Sequence, residues 1–202
     1  MVTKKYLLIT LSAMIMMFTG FRCSNEIKMI ENILEGDYIN NCPDEIFDFG
    51  EMISMGDPSD RFFIQLPYNW DIRQSYSDSL YGVYASNYFS IPIPMEERLA
   101  ISITAYASEK EMDEYFRDEL IELAKGEDIK VIEKGQSMLT GNYCPWVLFE
   151  MPPDVFNMVY YFKNQENNEY YLIQTASYDT LNFRKKQCYL KQLVNTFELV
   201  KE

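Results

Sequence analysis

Between Leu99 and Ala107 the sequence reads LAISITAYA, and its apolar residues recur at every second position. Leu99, Ile101, Ile103, Ala105 and Ala107 alternate with Ala100, Ser102, Thr104 and Tyr106. Successive side chains of an extended strand point to opposite faces, so this run commits the chain to a sheet with one dry and one wetter face. One strand cannot bury that face alone, so its partners must lie in the flanking segments. Upstream, Arg61 to Leu66 reads as a short strand stopped by Pro67, and WDIRQSY and LYGVYAS as two more around an SDS turn. Downstream, Lys130 to Met138, Tyr143 to Met151, Phe156 to Lys163 and Glu169 to Ser177 read as four further strands. TGN and KNQENNE supply the first and last turns, and Pro152 and Pro153 interrupt the middle pair. Links this short pair successive strands as an antiparallel meander.

Two helices complete the pattern. SEKE places Ser108 three residues before Glu111, the spacing of a capping box, and Met112, Tyr115, Phe116, Leu120 and Leu123 follow at helical spacing up to Gly126. A last helix is expected from about Thr180 to Glu198, capped by Asp179 or Thr180, with Phe183, Leu190, Val194 and Phe197 along one stripe. The expected fold is α/β, an antiparallel sheet with helices packed on it. No repeat or low-complexity tract interrupts it.

The N-terminus has a different character. Lys4 and Lys5 precede YLLITLSAMIMMFTGF, sixteen uncharged residues closed by Arg22. At ~1.5 Å per residue this run reaches about 24 Å, short of a ~30 Å hydrocarbon core, and reads as an export signal over residues 1–22. FTGFRCSNE resembles the end of a bacterial lipoprotein signal, in which the cysteine, here Cys23, receives the lipid. Gly20 suits that pattern; Arg22, directly before the cysteine, departs from the usual small residue. An uncleaved anchor and another processing site are the alternatives. Residues 23–60 are expected to form a tether and N-terminal extension, and residues 61–202 the folded domain. Within the extension, Ile27 to Leu34 is helix-like, whereas Asp57, Ser59 and Asp60 lack the spacing and terminal Glu of an EF-hand and read as a capped turn.

Charge and composition then exclude function classes. Removing residues 1–22 takes Lys4, Lys5 and Arg22 and no acid, leaving 15 basic against 31 acidic residues, a net charge of −16. Such a surface repels phosphate backbones and argues against nucleic acid. The chain holds no histidine, which rules out Ser-His-Asp, Cys-His and HExxH chemistry. Cys42, Cys144 and Cys188 form no CxxC pair, so neither a zinc ribbon nor a thioredoxin-type site is signalled. An exported protein can oxidise two of them, with the pairing left open. Eight methionines survive removal of the signal; Met52 and Met55 are close, but the scattered spacing fits core packing better than copper binding. No metal or cofactor is expected.

FFIQLPYNWDI, an apolar strand ending in LP with Trp70 two residues after Tyr68, resembles the opening of the PsbP-like superfamily, which includes bacterial DcrB-like lipoproteins. The order that follows is similar too: hairpin, strand, helix, IKVIEKGQSMLTGNYCPWVLFE, two strands and a closing helix with LVNTFELV. The resemblance covers about residues 61–200. It implies an α/β/α sandwich with a non-enzymatic binding or assembly role, and carries over no catalytic residues.

Trp70, Tyr76, Tyr81, Tyr84 and Tyr88 are the candidate ligand-binding residues, since aromatic rings give apolar area and phenols a polar handle. The competing account is that alternate tyrosines line a sheet face. FSIPIPMEE, residues 89–97, reads as a loop or edge segment able to contact a partner. The functional expectation is a non-catalytic lipoprotein of the bacterial cell envelope, held to a membrane by lipid (palmitate) on Cys23 and binding an envelope protein or small ligand. The alternatives are a carboxylate-based hydrolase acting on sugars and a structural subunit of an envelope complex.

Overall fold

A computed structural model describes residues 42, 48–57, 60–77, 80–126, 128–178 and 182–200. Among the described residues, ten strands form two sheets. The larger is built from β3 (Asp71–Ser77), β4 (Leu80–Ser86), β5 (Leu99–Ala107), β6 (Lys130–Leu139), β7 (Asn142–Met151), β8 (Val155–Asn164) and β9 (Glu169–Tyr178). Their spatial order is β3-β4-β5-β9-β8-β7-β6, antiparallel at every contact. The four downstream strands form the expected meander. The smaller sheet sets β2 (Phe62–Pro67) between β1 (Met52–Gly56) and β10 (Glu198–Leu199). Helix α1 (Met112–Lys125) lies on one face of the large sheet; α2 (Phe183–Val194) and the small sheet lie on the other.

Period-two geometry explains the two cores. On β7, Cys144, Trp146 and Leu148 face α2 and the small sheet, while Val147 and Phe149 face α1. Because both faces are covered there, the strand reads as a continuous apolar run rather than an alternation. The centre of the larger core is aromatic: Phe62, Phe162, Tyr171 and Phe197 meet with ring centroids 5.3–5.9 Å apart. Beside it the Trp146 ring lies flat on Gly135 of β6, where an added Cβ would fall 1.9 Å from the ring. The β6–β7 turn has Thr140 at φ 50° and Gly141 at φ 83°, the doubly positive geometry of a tight two-residue hairpin.

Three local expectations are corrected. Helix α1 begins at Met112 with Glu111 as N-cap and no side-chain cap bond. Ser108 is held instead at the end of the sheet, its N–H donating to Asn168 O (3.2 Å) while its Oγ accepts from Lys110 N–H (3.2 Å). The last helix starts after Asn182 and stops at Val194; residues 179–181 lie outside those described. It stops because Thr196 takes over: its Oγ1 donates to Leu193 O (2.6 Å) and accepts from Gln65 N–H (2.9 Å), turning the chain into β10. Phe197 therefore enters the core from beyond the helix. The ladder also starts before residue 61, with β1 paired along β2.

Cys42 and Cys188 form a disulfide, and Cys144 is free and buried. Burial pushes the Cys144 thiol up, and its S–H donates to Tyr161 O (3.3 Å), so it stays protonated.

Candidate functional site

The tyrosines of β4 are separated by parity. Tyr81, only 2% exposed, sits in the core on the α2 side, with the Arg61 guanidinium 5.2 Å from its ring centroid. Trp70, 7% exposed, belongs to the same core. Tyr76 stands opposite Tyr81 in the β3–β4 ladder. Tyr84, three residues beyond Tyr81, is on the α1 side, as is Tyr88. Of the candidates whose side chains are described, Trp70 and Tyr81 lie in the core, while Tyr84 and Tyr88 come together on the other face.

Around these two a cluster forms that register assembles from four segments. The Tyr84 and Tyr88 hydroxyls are 2.8 Å apart, and Phe89 packs on both rings at 5.0 and 5.3 Å. Tyr178, at the end of β9, meets Tyr88 edge-on at 6.1 Å. Arg73, paired with Tyr84 across β3–β4, lies 3.8 Å from the Phe89 centroid, and Arg98 lies 5.4 Å from that of Tyr88. Burial pushes the Tyr178 phenol up to about 12, reinforced by its bond to Tyr88, so its hydroxyl stays neutral. Arginine over an aromatic face is worth ~0.5–1 kcal/mol at exposed positions.

What makes this cluster a site is the connection above it. Residues 87–98 join β4 to β5, far more chain than the two to five residues that suffice for a hairpin. It is fastened at both ends and in the middle. Ser90 donates its N–H (2.6 Å) and its hydroxyl to the Asp71 carboxylate. Asn87 donates from Nδ2 to Glu97 O (2.9 Å) and accepts from Leu99 N–H (2.9 Å). Lys186 of α2 donates to Glu96 O. Between these fastenings Ile91 is 60% exposed and Met95 42%. The Asp71 carboxyl is held below its ordinary range, chiefly by the Ser90 hydroxyl and then by the Ser90 N–H.

Other polar groups are tied into the scaffold. Asp57, buried, accepts from Arg61, which also bonds Glu169 (3.0 Å), and Tyr171 donates to Glu169 (2.6 Å). A small, partly open space of about 30 Å³, room for one or two waters, lies beside the disulfide and is lined by Lys191, Trp146, Glu133 and Arg184. The Lys191 ammonium lies 5.5 Å from the Trp146 ring centroid; burial lowers its pKa against the opposing pull of Glu133. Among the described residues no group of three or more His, Cys, Asp or Glu could hold a metal ion, and no helix is long and apolar enough to cross a membrane. Cys23 lies outside the described residues.

No protein-family model matches the sequence, and no curated protein matches it. Solved structures do. Cyanobacterial PsbP (CyanoP) from Synechocystis sp. PCC 6803 is similar with a TM-score of 0.52 and 12% identity, covering 80% of this chain and 99% of that one. A variant of the protein Mog1 is similar with a TM-score of 0.50 and 13% identity, covering 75% and 97%. LpqN of Mycobacterium tuberculosis, described as involved in cell envelope biogenesis, follows with a TM-score of 0.48 and 8% identity, covering 75% and 91%. At these identities the likeness is one of fold: the chain adopts the PsbP-like and Mog1-like α/β architecture.

Proposed function

We propose that this chain is a lipid-anchored protein of the bacterial cell envelope that catalyses nothing and binds a protein partner through the connection 87–98. The observation that carries the reading is the fastened loop that holds Ile91 and Met95 out in solvent above an arginine–aromatic cluster. A loop fixed before binding loses little entropy on association, and apolar anchors flanked by Arg and Tyr are the residues on which interface energy concentrates. The partner presents an apolar side chain to Ile91 and a carboxylate within reach of Arg73 or Arg98. The Cys42–Cys188 disulfide supports an oxidising, exported setting, in keeping with the signal-like residues 1–22.

Two experiments test the two parts of the reading. Labelled palmitate should enter the wild-type chain and not Cys23→Ala; equal labelling removes the anchor at Cys23. A photo-crosslinking amino acid at position 91 should give one dominant adduct in intact cells, and none at position 143, where Tyr143 is exposed at the far end of the sheet. Adducts at both positions, or at neither, would refute the loop as the binding surface.

A further inference from the structure

A cleft of about 630 Å³ opens where the β6–β7 turn, the β8–β9 turn and β10 converge. It lies at the opposite end of the sheet from the connection 87–98: β9 runs from the one, at Glu169, to the other, at Tyr178. Its volume is that of a small-molecule site, within the ~300–1,000 Å³ range of ligand pockets. Each wall is fixed independently. The β6–β7 turn is the tight hairpin at Thr140 and Gly141. The β8–β9 turn is braced by Asn164 Oδ1 accepting from Glu166 N–H (3.1 Å) and Asn167 Oδ1 accepting from Glu169 N–H (3.1 Å). β10 is anchored through Val200 N–H donating to Arg61 O (3.0 Å).

The chemistry of the lining selects a ligand class. Asn142, Asn164 and Gln165 bring amides that both donate and accept, and Glu166 and Glu198 bring acceptors. The charged side chains among the described lining residues, Glu166 and Glu198, are both acidic and repel a phosphate or carboxylate ligand. A cation, carrying donors alone, would leave the amide N–H groups unmet. A hydroxyl donates and accepts at once and matches a mixed lining of this kind. Leu199 and Val200 add an apolar strip against which the C–H face of a sugar ring can lie.

We propose that this cleft binds a neutral saccharide, independently of the partner surface at residues 87–98. The full chain is titrated with maltose, cellobiose and N,N′-diacetylchitobiose by calorimetry and by amide chemical shifts. At least one sugar should saturate with shifts centred on residues 140–142, 164–166 and 198–200. The double variant Asn142→Ala, Glu198→Ala, which changes two exposed side chains, should bind about tenfold more weakly or worse, as expected for two lost hydrogen bonds. Ile91→Asp should bind the sugar as wild type does, so loss of the partner adduct and loss of sugar binding are separable. Raising the salt tenfold should change the affinity less than about twofold, since the ligand carries no charge. Failure of all three sugars to saturate, binding unaltered in the double variant, or a steep salt dependence would each overturn the proposal.

Discussion

The α1 face of the large sheet carries two tyrosine clusters beneath two different covers. Between α1 and the sheet, Tyr115 of the helix packs with Tyr106, Tyr161 and Tyr170 of the strands at centroid distances within 5.0–6.2 Å, and Phe116 of the helix meets Tyr161 at 4.7 Å. Under the connection 87–98, Tyr84, Tyr88, Phe89 and Tyr178 pack at similar distances, but with Arg73 and Arg98 over their rings. A helix satisfies its backbone internally and can press an apolar stripe onto the sheet. Burial there pushes the Tyr115 phenol up to about 12 and Tyr161 higher still. The connection 87–98 makes a short turn of its own, with Glu97 N–H donating to Pro94 O (3.0 Å) and Arg98 N–H to Met95 O (3.1 Å). It fastens the rest of its backbone largely with side chains, which leaves its rings half-buried and Ile91 and Met95 outward. Aromatic content alone therefore does not distinguish a closed core from a half-open cluster; the cover does.

Substitutions on the two sides should separate them. Phe116→Ala removes a buried ring from beneath the helix and should cost ~3–5 kcal/mol, read as a large fall in the thermal midpoint, with the position-91 adduct kept wherever the protein remains folded. Phe89→Ala should cost only ~1–3 kcal/mol, from two ring pairs and one cation–π contact, yet abolish the adduct. An Asn87→Ala change should cost about 1 kcal/mol and appear as faster amide exchange at Leu99, with no change under α1. The smallest effect is acid-dependent. A carboxyl held below its ordinary value stabilises fully above that value, 3.8 for Asp71, and the contribution is lost as pH falls below it. The Ser90 amide resonance should move in that window while those of α1 stay fixed; a Ser90 shift above pH 5 would contradict the assignment.

Much of the scaffold was legible because its signals are local. Lys130 to Ser177 alternates or runs apolar between turn residues, and the structure places β6 to β9 there within a residue or so at each end. The capping box failed because Ser108 is claimed by Asn168, 60 residues away in sequence and adjacent only once β5 and β9 have paired. The aromatic site was half legible. Tyr84 and Tyr88 stood among the candidates, but the sequence reading grouped them with Tyr81, which strand parity puts on the opposite face of the sheet. Arg73, Arg98 and Tyr178 carried no signal, since only register across β3, β4, β5 and β9 brings them to the same rings.

The sulfur bridge between Cys42 and Cys188 spans 146 positions, so β1 through β9 all lie inside one covalent ring. Traction applied to the chain ahead of residue 42 can pass across that bridge into α2 without loading β1. Strands cannot then be peeled off one by one from that end. The domain resists pulling as a closed hoop would, until a reductant cuts it.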